Sequence, residues 1–155
     1  MHTLIDAHGT IDDDWVLLDE EIPAVGRNKV IVPVQRWTDE RDIWKESEKV
    51  LGVLLEPSFD VSLLRPDLNK LSLIAIPFSV FSDGRGFSQA RLLRERYGYS
   101  GLLRATGDVL RDQLSFLARC GFDQFSVYSE HDIEAVISAL APFTVGYQPD
   151  LRQSA

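Results

Sequence analysis

Gly98 and Gly121 occupy matching places in two copies of one pattern, and this repeat limits the possible folds more than any other feature. Set over each other, "RYGYSGLLR" (96–104) and "RCGFDQFSV" (119–127) both give a helix end, a glycine, an aromatic residue, two further residues and a strand. Glycine at such a place accepts the left-handed conformation that ends a helix, and the aromatic after it can pack back on the last turn. A weaker echo, "VGY", lies at 145–147. Between the two copies, Asp108 predicts a helix cap, and Leu110, Leu114 and Leu117 recur at helical spacing. Short units of helix and strand build a parallel sheet through right-handed βαβ crossovers.

The rest of the chain alternates in the same way. "KVIVPV", ending at Val34, reads as a strand, "TDERDIWKESEK" as a helix capped by Thr38 or Asp39, and "LGVLLEP" as the next strand. "DVSLLRPDLNKL" is helical but interrupted at Pro66, which has no amide hydrogen and crowds the preceding turn. "LSLIAIPF" is apolar on both faces, as a covered parallel strand requires. A last helix opens at Ser129, with Asp132 in its first turn, and stops at Pro142. Residues 1–28 read as a less regular acidic segment. The expectation is one α/β domain over 1–155, with alternating βα units on a mostly parallel open sheet of about five or six strands, covered on both faces. A partial βα barrel is the alternative, since the strands are too few for a complete eightfold barrel.

Charge narrows the partners. The net charge is −8, yet Asp83 to Arg119 holds seven arginines against four acids, while "IDDDW" and "LDEEIP" concentrate acid near the start. That balance argues against a general nucleic-acid surface and favours a small anion or a protein partner, with an ordinary solvated helix face as the structural alternative for several of the arginines. One cysteine, Cys120, excludes an internal disulfide, an iron–sulfur cluster held by this chain alone and the usual structural zinc site. In "LARCGF" it reads as a small buried packing residue. His2 and His8 fall in a loose N-terminus and His131 in the first turn of a helix, so no metal cluster is visible. "MHTLIDAHGT" lacks a basic region before an apolar run, and no apolar stretch reaches membrane-spanning length, so the cytoplasm is the expected compartment.

Ligands of open parallel sheets bind beyond the carboxyl ends of the strands. Those ends collect Gln35 and Arg36, Glu56, Ser79 to Ser88, Arg104 to Asp108, and Tyr128 with Ser129. In "SDGRGFS", Gly84 and Gly86 allow a tight turn, Ser88 can cap a helix whose free amides attract anions, and Arg85 can fork onto an oxyanion. As a dinucleotide fingerprint the match is poor, because Gln89 stands where the third glycine belongs. A solvated turn capped by Asp83 is the structural alternative. Arg104 lies in a strand, and a buried arginine must be paired or must reach a site. Glu56, Asp83 and Asp108 are its candidate acids. The candidate binding residues are therefore Asp83, Gly84, Arg85, Gly86, Ser88, Arg104 and Asp108, with Arg85 and Arg104 approaching one pocket. Nothing in the spacing selects a general acid–base pair from Asp83, Asp108 and Glu56, so no catalytic residue is assigned.

The block "FSDGRGFSQARLLRERYGYSGLLRATGDVLRDQLSFLARCGFDQF" (81–125), with "DDWVLL" (13–18), "VPVQRW" (32–37) and "LGVLLEP" (51–57) upstream, resembles a bacterial family of small proteins. It is catalogued as domain of unknown function nine-three-four and labelled an oxidoreductase of sulfite reduction. The resemblance implies an accessory role in assimilatory sulfite reduction, a part of sulfur assimilation, with sulfite reductase or its electron donor as partner. An oxidoreductase needs a redox group. The chain offers no cysteine pair and no cluster ligand set, so siroheme and its cluster would belong to another subunit. Any cofactor of this chain is unidentified and is not bound through cysteine. The leading expectation is an accessory protein that binds a reductase subunit or a small oxyanion. The alternative is a cofactor-dependent oxidoreductase using the Asp83–Ser88 loop, and a third reading is a structural homodimer. Neither nucleic acid nor a membrane is expected as a partner.

Overall fold

Short runs of valine, isoleucine and leucine, which suit a pleated surface, form one eight-stranded sheet. The computed structural model describes residues 2–19, 26–79, 84–107, 109, 111–128, 134, 137 and 138. In chain order the strands are β1 (His2–Asp6), β2 (Gly9–Thr10), β3 (Val16–Leu17), β4 (Lys29–Pro33), β5 (Val50–Leu54), β6 (Leu71–Phe78), β7 (Leu102–Gly107) and β8 (Gln124–Tyr128). Helices α1 (Val34–Asp39) and α2 (Arg41–Lys45) link β4 to β5, and a 3₁₀ run (Val61–Lys70) links β5 to β6. Helix α3 (Arg85–Arg91), continued by a π turn (Leu92–Arg96), precedes β7, and α4 (Leu114–Arg119) precedes β8.

Strands β3 to β8 lie side by side in chain order, all parallel. Crossovers of one hand that always step the same way place their helices on one face. The packing agrees. Trp37, Trp44, Leu64, Leu93 and Leu117 share one core with Val30, Val32, Ile74, Ile76, Leu103 and Phe125 of the sheet. The opposite face carries a small cluster of Ile31, Leu73 and Ala75, joined by Leu54 and Trp15, with no helical residue among the described ones. The sheet curls into a half-barrel with helices outside and a concave inner face. The expected cover of helices on both faces is therefore corrected to the partial-barrel form. The inner positions misled because they too are apolar.

Eight strands replace the five or six expected, and the extra ones come from the N-terminus. Instead of lying loose, β1 runs antiparallel along β8 and β2 antiparallel along β1. Pairing buries Ile5 completely and covers an edge of the parallel sheet. Two helix boundaries also differ from expectation. Helix α1 starts directly after Pro33, and Thr38 lies inside it, its hydroxyl donating to the Val34 carbonyl at 2.9 Å. Pro66 does not break its segment, because a 3₁₀ run is a chain of short turns and loses only one of them. The proposed caps Asp108 and Ser129, the residues His131, Asp132 and Pro142, and the "VGY" echo lie outside the described residues.

The repeated glycines take the left-handed conformation foreseen for them, with φ of +65° at Gly98 and +106° at Gly121. One side chain ties the two copies together. From the π turn, the Arg94 guanidinium donates to the carbonyls of Tyr99 and Gly101, both at 2.7 Å, and twice to that of Gly121. It also meets the Asp123 carboxylate at 2.6 Å. The Tyr99 phenol donates to the Leu71 carbonyl at 3.1 Å, and burial holds its pKa well above the usual tyrosine value. Arg94 in the arginine-rich block is thus structural.

Candidate functional site

The strand register puts Pro33, Leu54, Ala75, Arg104 and Gln124 in one row across β4 to β8. Leu103 and Ala105 belong to the outer core, so alternation turns Arg104 and Thr106 inward. Ala75, opposite Arg104, has only a methyl group and leaves room beside the guanidinium. A cavity of about 530 Å³ fills that room, lined on the sheet side by Ile31, Leu54, Ala75, Arg104, Thr106 and Ser126.

Its other wall is the acidic strap between β2 and β3, through Ile11, Asp12, Asp13 and Trp15. The strap is pinned twice. Asp14 meets the Lys29 ammonium at 2.8 Å, a hydrogen bond that holds its carboxyl below the ordinary carboxylate value. Trp15 packs on the inner apolar cluster, with the Lys29 ammonium 5.8 Å from its ring centre.

Arg104 is 5% exposed, and its Nε donates to Gln124 Oε1 at 3.0 Å. Its Nη1 meets Asp13 Oδ2 at 3.2 Å. That acid was missed in the sequence, where Glu56, Asp83 and Asp108 were the candidates. Asp13 is 46% exposed and approaches one nitrogen only, a looser arrangement than the paired fork of a tight arginine–carboxylate bridge. Nη2 makes no hydrogen bond to a described residue. Among the described residues the site thus offers one buried guanidinium, three neutral hydroxyls (Thr3, Thr106 and Ser126), two carboxylates and an apolar wall.

The Gly84 loop stands apart. Gly84, Arg85, Ser88 and Gln89 line a second cavity of about 350 Å³ together with Ser58 and Asp60. Helix α3 rests on the outer core through Ala90, whereas Arg104 points inward, so the two arginines line different cavities on opposite faces of the sheet. Ser88 is not the cap expected of it. Gly84, at φ +88°, occupies the cap position and the helix begins at Arg85, leaving Ser88 within it. A Cβ on Gly86 would come within 2.7 Å of the Phe78 ring, so this glycine lets α3 press against the end of β6. Gln89 donates to the carbonyls of Glu56 and Phe59 at 2.9 and 3.1 Å, while its Oε1 is buried without a partner among the described residues. Asp83 and Asp108 lie outside the described residues.

Cys120 is buried, and desolvation raises its thiol pKa, as a packing residue requires. Among the described residues no cluster of three or more His, Cys, Asp or Glu could hold a metal ion. No helix among them is long and apolar enough to cross a membrane.

A family model of bacterial proteins of unknown function, DUF934, matches residues 52–155. The chain belongs to this family. The DUF934 match runs from within β5 through β8, hence over Arg104, Thr106, Gln124 and Ser126, and leaves the strap at 11–17 outside it. No curated protein matches the chain.

Proposed function

We propose that this DUF934 protein is a non-redox accessory protein that takes the acidic group of a small molecule on Arg104, inside the half-barrel. One observation carries the reading: a guanidinium buried at 5% exposure keeps Nη2 without a hydrogen bond to a described residue, and its Nη1 on a single half-exposed acid, beside a cavity of about 530 Å³. Ordering so large a cation in a sheet interior is costly unless a ligand completes its hydrogen bonds. Sulfite reduction, the setting implied by the family resemblance, would supply the partner. Arg85, Arg91, Arg96 and Arg119 are exposed on α3, the π turn and α4, which supports the docking of an acidic reductase surface there. Thermal denaturation tests the ligand. An acid bound at a hundred times its Kd adds about 2.7 kcal/mol. Arg104→Gln removes that gain if the reading is right. A gain that survives Arg104→Gln contradicts it.

A second reading keeps the Gly84 loop as a cofactor site, and the unpartnered Gln89 Oε1 favours it, since a buried acceptor calls for an N–H donor. A flavin or nicotinamide cofactor that raises the melting temperature, with the rise lost in Arg85→Ala, would establish it. No rise with either cofactor would dismiss it.

A further inference from the structure

Resting on Arg104 as the acid-binding group, we infer that the ligand is amphoteric: a carboxylate beside an ammonium on an apolar body, the chemistry of an α-amino acid. Charge leads to this class. Among the described residues that line the cavity, Arg104 is the only cation, against two carboxylates, Asp12 and Asp13. A simple anion entering there would displace Asp13 from Arg104 and leave two acids facing it, and a polyphosphate would fare worse. A zwitterion removes the conflict. Its carboxylate takes the Nη1–Nη2 edge of Arg104 as a paired fork, and the released Asp13 receives its ammonium. The ion pair, 3.2 Å apart, opens and each partner accepts one end of the ligand, so net charge in the cavity does not change.

Size and lining agree. Small-molecule sites usually hold about 300–1,000 Å³. An inorganic oxyanion, equal to a few waters at about 30 Å³ each, would leave most of the 530 Å³ empty. Trp15, Ile31, Leu54 and Ala75 form an apolar wall suited to a hydrophobic side chain, and Thr106 and Ser126 add neutral polar contacts near the charged end.

Titration calorimetry on the full chain tests the class with four probes: L-phenylalanine, 3-phenylpropionate, phenethylamine and inorganic sulfate. L-phenylalanine is expected to bind at least roughly tenfold more tightly than either analogue that lacks one charge, a difference in line with one charge-assisted hydrogen bond. Asp13→Asn should weaken L-phenylalanine but strengthen 3-phenylpropionate, which no longer competes with a carboxylate for Arg104. That crossing of effects does not depend on Arg104→Gln folding. Binding should also quench Trp15, and Trp15→Phe should abolish the optical signal. If 3-phenylpropionate or sulfate binds as tightly as L-phenylalanine, and needs Arg104, the amphoteric class is wrong while the acid-binding reading stands. If none of the four binds in an Arg104-dependent way, both fall.

Discussion

The Arg94 guanidinium donates five hydrogen bonds to described residues, four to backbone carbonyls and one to the Asp123 carboxylate. Arg104, ten residues later in the same arginine-rich stretch, has one bond to Gln124 and one to a half-exposed acid. Their substitutions should differ accordingly. Arg94→Met takes the guanidinium from three carbonyls and breaks the ion pair with Asp123, and is expected to cost about 3–5 kcal/mol in chemical denaturation. Arg104→Gln should cost less than about 2 kcal/mol, because Asp13 recovers water when released. Equal costs would show that Arg104 is a structural clamp as well. Burial makes a related prediction for Cys120. Its raised pKa keeps the thiol protonated at neutral pH, so a thiol reagent should label it only as fast as the chain opens, and much faster in denaturant.

At the scale of elements, the strap from Ile11 to Leu17 decides whether the inner cavity has a second wall. Its anchor is the Asp14–Lys29 pair, and the direction of the Asp14 shift fixes the pH at which the anchor fails. A carboxyl held below its ordinary 3.8 contributes fully above that value and loses its contribution as pH falls through the lowered one. Trp15 emission should therefore change at a pH below 3.8, and Lys29→Met should produce the same change at neutral pH. An emission unchanged in Lys29→Met would mean that packing alone holds the strap. Strand β1 has a different task. Removing His2–Thr10 uncovers the β8 edge and the socket of Ile5, so the shortened chain should associate or precipitate, as sedimentation would show.

For the whole molecule, the half-barrel follows from strand order, and strand order is what the sequence states least directly. Strands β4 to β8 and the glycine-ended helices were legible because their signals are local: apolar runs, punctuation and a repeat. The concave face was not. Ile31, Leu73 and Ala75 are apolar like the residues facing the helices, so the pattern read as a sheet covered twice. Strands β2 and β3 are two residues long and carry no period. Arg104 was singled out, but its partner Asp13 lies 91 residues away, brought close only by the antiparallel return of β1 to β8. Only packing reveals that "IDDDW" roofs a cavity.

The most direct test follows the arginine Nε–Hε resonances by nuclear magnetic resonance while an amino acid is titrated into the protein. Arg104 Nε is hydrogen-bonded inside the sheet, Arg94 is an internal control with every donor engaged, and Arg104→Lys assigns the signal. The Arg104 resonance is expected to move and saturate with ligand while that of Arg94 stays in place. A saturable shift confined to Arg85, with Arg104 unmoved, would contradict an acid-binding half-barrel and place the site at the Gly84 loop instead.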